Sequence, residues 1–148
     1  MNRICLLLLC AGLAYPAAAQ TSAKRPTGYT YLVDQAIPGK TVYISGQRPF
    51  DADGNVVGVN NIDAQTKQVF DNLRTELGKV GMTLDNITQV TYLLKGEPGR
   101  VSPVLADQTS NVAATYLSPA ISRITDVKST NRIVTDDVLV EVEVIAVK

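Results

Sequence analysis

Apolar residues recur along this chain with two different spacings, and the spacing changes wherever turn-forming residues gather. Tyr29 to Val33 is rich in β-formers and predicts a strand. Pro38-Gly39 turns the chain, and Thr41 to Ser45 supplies a second strand that returns as a hairpin. Asp51-Ala52-Asp53-Gly54-Asn55 carries an Asp-Gly turn, whose left-handed backbone suits a tight tip before Val56-Val57. The period then lengthens. Val69, Phe70, Leu73, Leu77 and Val80 form one helical stripe behind a cap at Asn61 or Asp63, and Gly78 and Gly81 close it. Ile87 to Leu94 returns to β-formers and predicts a strand. Ser102-Pro103, a cap followed by a first-turn proline, opens a second helix through Leu105, Val112 and Tyr116 that Ser118-Pro119 stops. Ile121 to Val134 holds a further strand, and Val138 to Val147 is a long final one.

This order predicts an α+β fold: a single mixed β-sheet with two helices on one face. A crossover runs from the strand at Ile44 through the first helix to the strand at Ile87. The last strand adds a second requirement. Val140, Val142, Val144 and Ala146 share one of its faces, while Leu139, Ile145 and Val147 surround Glu141 and Glu143 on the other. Two largely apolar faces imply cover beyond the helices, and self-association is its simplest source.

The N-terminal end changes the picture of compartment. Arg3, an apolar run from Ile4 to Ala14 and Ala17-Ala18-Ala19 before Gln20 have the layout of a cleavable secretory signal. The expected organisation is a signal over 1–19, a flexible lead-in over 20–28 and one domain over 29–148, in a secreted or periplasmic protein. The apolar run is shorter than the roughly 20 residues that span a bilayer, so no membrane association is expected after cleavage. Cleavage would remove Cys5 and Cys10, and the chain has no histidine. Disulfides, a thiol nucleophile, a Ser-His-Asp triad and zinc held by imidazole or thiolate are thereby excluded from the mature chain, and no metal or cofactor is expected. Loss of Arg3 takes Lys plus Arg from 14 to 13 against 14 acidic residues, with no block of either sign, so no nucleic-acid partner is predicted.

Four stretches taken together suggest a family. They are Val42-Tyr43-Ile44-Ser45-Gly46-Gln47-Arg48-Pro49, the pattern D-x-Q-x-x-Q-x-x-x-N-L from Asp63 to Leu73, Gly81 to Ile87, and Leu139 to Val147. Over nearly all of the chain after residue 28 the sequence resembles the RidA (YjgF) family of small trimeric proteins. The resemblance implies a chorismate-mutase-like fold in a homotrimer with sheets packed inside and helices outside, and clefts for small carboxylate-bearing ligands between subunits. It also implies hydrolysis of enamines, through their imine tautomers, to 2-keto acids and ammonia. In that chemistry an arginine from a Pro-Ala-Arg segment grips the substrate carboxylate, and the first glutamate of a closing E-x-E strand positions water. Neither task needs histidine.

Glu141 matches that glutamate through Leu139-Val140-Glu141-Val142-Glu143. A glutamate in a Val-rich strand is costly unless it meets a polar cleft or a cationic partner; the other reading is a wet channel in the oligomer. The arginine segment reads Pro119-Ala120-Ile121-Ser122-Arg123, so the nearest arginine comes two residues late, about 6 to 7 Å along a strand. Arg123 is therefore either the carboxylate anchor or a strand-end residue that is solvated or paired with Asp126 or Glu141. Lys128 to Asn131 is the expected insertion between the two. Ser45, Gly46 and Gln47 are substrate-binding candidates, because a hydroxyl and an approachable backbone at a strand end suit a small anion; the alternative is that they serve only their own turn. Arg48 is expected to face solvent or a subunit rim. Tyr31 and Asn111 are the nearest residues by type to a cleft tyrosine and a second-helix asparagine. The competing function is a trimer that binds ligands or proteins without catalysis, favoured by the displaced arginine and by export.

Overall fold

A computed structural model describes residues 28–34, 40–121 and 126–148. The predicted signal, nearly all of the lead-in, the Pro38-Gly39 turn and Arg123 lie outside the described residues. The elements are β1 (Tyr29–Asp34), β2 (Lys40–Gln47), α1 (Ile62–Lys79), β3 (Ile87–Lys95), α2 (Pro103–Ala113), β4 (Asp126–Thr130) and β5 (Val140–Val147), with a 3₁₀ turn at Leu84–Asn86 before β3.

The strands form one mixed sheet in the order β1-β2-β5-β3-β4. β1 and β2 pair as an antiparallel hairpin, β5 lies antiparallel between β2 and β3, and β4 runs parallel to β3. α1 therefore joins two parallel strands that do not touch, and β5 fills the slot between them. One face of the sheet is sealed: Val42, Ile44, Val90, Tyr92, Leu94, Val140, Val142, Val144 and Ala146 are buried with Val69, Phe70, Leu73 and Leu77 of α1. The other face carries Tyr43, Ser45, Gln89, Thr91, Glu143 and Ile145 and is partly open.

Local signals account for the helix starts. Asn61 rather than Asp63 caps α1, its Oδ1 accepting from the Ala64 amide at 3.0 Å, while Asp63 sits in the first turn where the helix dipole favours a carboxylate. Ser102 caps α2 in the same way, ahead of Pro103. α2 stops at Ala113, short of Tyr116. The next amides tighten to one-turn bonds, Thr115 to Val112 and Tyr116 to Ala113, ahead of Pro119, which cannot extend a helix. The Tyr116 ring instead stacks on Phe70, with centroids 5.0 Å apart. Lys128 to Thr130, expected as an insertion, belong to β4 and pair with Leu93 to Lys95; the irregular stretch runs from 131 to 139.

Tyr92 is among the buried residues that carry an unpartnered polar group. Tyr92 is fully buried, its hydroxyl has no partner among the described residues, and burial pushes its phenol well above the ordinary range. Tyr92→Phe is expected to stabilise the chain by about 1 kcal/mol, because it removes a buried hydroxyl without opening a cavity. The folded chain holds this proton where the unfolded chain releases it, near pH 10 (about the free tyrosine value), so stability falls as pH rises above that point. Urea titrations at neutral and alkaline pH check both effects: the variant should gain at neutral pH and lose less in alkali.

Candidate functional site

A single extra residue in β2 sets the geometry of the open face. Ile44 pairs with Val144 and Gln47 with Val142, so three steps along β2 answer two along β5. The surplus is taken up at Ser45-Gly46, where Gly46 adopts a left-handed φ of 67° that L side chains rarely adopt. The bulge exchanges the faces of the residues that follow. Gln47, opposite buried Val142, turns inward and is fully buried. Arg48 then falls on the open face, beside Glu141.

There the two side chains meet. Arg48 Nε donates to Glu141 Oε2 at 2.6 Å, and the side chains are only 19% and 12% exposed. The expectation that Arg48 faces solvent is thus corrected: it is the described cation that neutralises Glu141. Neighbouring Ser45 Oγ donates to Glu143 Oε1 at 2.9 Å, so both glutamates of the strand are held from β2 or its end.

The first helix fixes both backbones that carry this pair. Asn72 Nδ2 donates to the carbonyls of Arg48, at 2.9 Å, and Phe50, at 3.0 Å, while Gln68 Nε2 donates to Asn72 Oδ1 and orients it. On the other side, fully buried Gln65 donates to the Asp137 carbonyl at 2.6 Å and accepts from the Leu139 amide at 2.7 Å, two residues before Glu141. The polar positions of the Asp63 to Leu73 pattern are therefore the clamps that hold Arg48 and Glu141 in register. Beyond Arg48 the chain turns at once: the Asp51 carboxylate accepts from the Asn55 amide, and also from that of Asp53, and these bonds draw its pKa below the ordinary carboxylate value.

A cavity of about 180 Å³ opens on the same face, lined by Tyr43, Ser45, Gln89, Thr91, Glu143 and Ile145. Of the residues singled out from sequence, Ser45 lines this cavity, while Gly46 and Glu141 meet on the same face at the Arg48 pair. The Gln47 side chain does not: its amide lies under Gly28, where an added Cβ would come within 2.5 Å of Nε2, and neither amide atom has a partner among the described residues. Asn111 lies in the helical layer, in a groove of about 300 Å³ with Asp63, Lys67 and Gln108. Among the described residues there is no group of three or more potential metal ligands and no helix long and apolar enough to cross a membrane.

Fold and site define a small α+β protein whose helices seal one sheet face while the other presents a clamped ion pair and a small open cavity of mixed lining. A family model described as endoribonuclease L-PSP matches residues 22–148, and the chain belongs to this family, the RidA/YjgF proteins. A RutC family protein of Saccharolobus solfataricus is 31% identical over 112 residues, 74% of this chain and 81% of its relative. One from Pyrococcus horikoshii is 28% identical over 130 residues, 86% of this chain and 93% of its own. Among solved structures, a Rid family protein of unknown function from Yersinia pestis superposes with a TM-score of 0.61 at 30% identity, covering 72% of this chain and 79% of that one. RidA from the Antarctic bacterium Psychrobacter shares the fold at a TM-score of 0.59 and 24% identity, covering 88% of this chain and 91% of its own.

Proposed function

We propose that this protein binds small carboxylate-bearing metabolites in clefts formed between subunits of a homotrimer and hydrolyses enamines, through their imine tautomers, to 2-keto acids and ammonia. The observation that carries this reading is Glu141, held by Arg48 on the partly open sheet face in the frame the family resemblance assigns to the water-positioning glutamate. An ionised carboxylate there orients a water molecule and accepts its proton as oxygen adds to the imine carbon; the resulting carbinolamine collapses to the keto acid and releases the nitrogen as ammonia. Trimer formation is supported by the half-open sheet face, where Tyr43 is 44% and Val147 40% exposed. Export is proposed from Arg3, the apolar run and Ala17-Ala18-Ala19, and N-terminal sequencing of the mature chain should then begin at or beside Gln20.

A second reading, a trimer that binds without catalysis, has its own support: Ile121 stands where the resemblance places an arginine, and Glu141 is already neutralised by Arg48. One assay separates them. Purified mature protein is mixed with freshly generated 2-aminoacrylate, and pyruvate and ammonia are followed alongside sedimentation. Acceleration over the spontaneous rate by a trimer supports the first reading. Retention of pyruvate without acceleration supports the second, and a monomer with neither property defeats both.

A further inference from the structure

Resting on the carboxylate-binding reading just given, we infer that Arg48 is the guanidinium that receives the ligand carboxylate in this chain, from the end of β2 rather than from the segment that holds Ile121 and Arg123. Three features support the assignment. The bulge at Ser45-Gly46 carries Arg48 to the open face, and Asn72 fixes its carbonyl there. Its Nε is committed to Glu141 Oε2, but no described residue accepts from its two terminal nitrogens. A guanidinium held by one edge presents the other as a planar fork, the geometry that takes a carboxylate through two parallel hydrogen bonds.

Gly46 makes room for that guanidinium. A Cβ at this position would come within 3.2 Å of Arg48 Nη2 and 3.7 Å of the Glu141 carboxyl carbon. The glycine thus satisfies a left-handed backbone and lets the pair pack closely against β2, where a side chain would crowd the guanidinium. The same arrangement divides the work of Glu141: Oε2 holds the arginine in place, and Oε1 is left for water. Arg48 then acts as a binding residue that also offsets the repulsion between Glu141 and an incoming anion.

The test compares two probes that differ only at the proposed contact, 2-oxobutanoate and its primary amide 2-oxobutanamide, titrated by NMR against the full-length mature protein so that no turnover is needed. Wild type should bind the carboxylate about tenfold more tightly than the amide; Arg48→Gln should erase that preference by weakening the carboxylate alone, while Arg123→Ala leaves it within about twofold. Arg48→Lys keeps a charge beside Glu141 but gives up the planar fork, so it carries the test should Arg48→Gln not fold; its expected loss is about fivefold for the carboxylate and none for the amide. Equal weakening of both probes would reduce Arg48 to a structural counterion, and loss of the preference in Arg123→Ala would move the anchor to that residue. In either case a wild type that still accelerates 2-aminoacrylate hydrolysis leaves the deaminase reading standing. A wild type that binds neither probe and accelerates nothing removes both.

Discussion

Val142→Asp is expected to leave no folded protein, while Ile145→Asp, three residues along the same strand, is expected to leave a folded chain that no longer assembles. The two positions lie on opposite faces of β5. Val142 is fully buried among the residues that pack under α1, and a carboxylate there has no cation to meet; its burial costs several kcal/mol, a large part of the roughly 5–15 kcal/mol that holds a domain together. Ile145 lines the open-face cavity and is only half-buried in the single chain, so a charge there stays near water in the monomer and would be buried only in the proposed trimer. Thermal melts followed by circular dichroism read the first effect and sedimentation the second. A folded Val142→Asp would contradict the sealed face, and an Ile145→Asp protein that still sediments as a trimer would place the subunit contact elsewhere.

Glu141→Gln should lower turnover of an imine substrate by roughly 100-fold or more, the usual scale for removing a general base, while melting within a few degrees of wild type. The fold is expected to survive because the glutamine carbonyl can still accept from Arg48 Nε, so no buried donor is orphaned. Binding of the keto-acid product should change less than kcat, since the lost step is activation of water rather than capture of the ligand. Single-turnover measurements separate the two. An unchanged kcat would remove Glu141 from the chemistry and turn attention to Glu143, which Ser45 already holds on the cavity wall.

Much of this architecture is legible locally. The stripe from Val69 to Leu77 and the Ser102-Pro103 start depend on neighbours within a turn or two and appear in the structure where the spacing puts them, while the cap, open between Asn61 and Asp63 in the sequence, falls on Asn61. The alternation in β5 likewise separates Val140, Val142, Val144 and Ala146 from Glu141 and Glu143 before any partner strand is known. The slot that β5 occupies is different in kind. Its place between β2 and β3 rests on pairing with β2 residues about 100 positions away and β3 residues roughly 50 away, and no local preference carries it.

Arg48 shows the same limit within the site. Counted by strict alternation from Val42 and Ile44 it would fall on the buried face, where an arginine makes no sense, and the simplest escape is to send it to solvent. The bulge inverts that count, and the sign of a bulge is present in the sequence: a glycine inside a strand pattern, at Gly46. A glycine permits the extra residue, but only pairing against Val142 and Val144 shows that one has been inserted and on which side of it the parity changes. Glu141 could therefore be singled out from its own strand. The cation that meets it depends on register between two distant strands and on Asn72 and Gln65 reaching from α1 to hold each of them, which are properties of the assembled sheet and not of any segment alone.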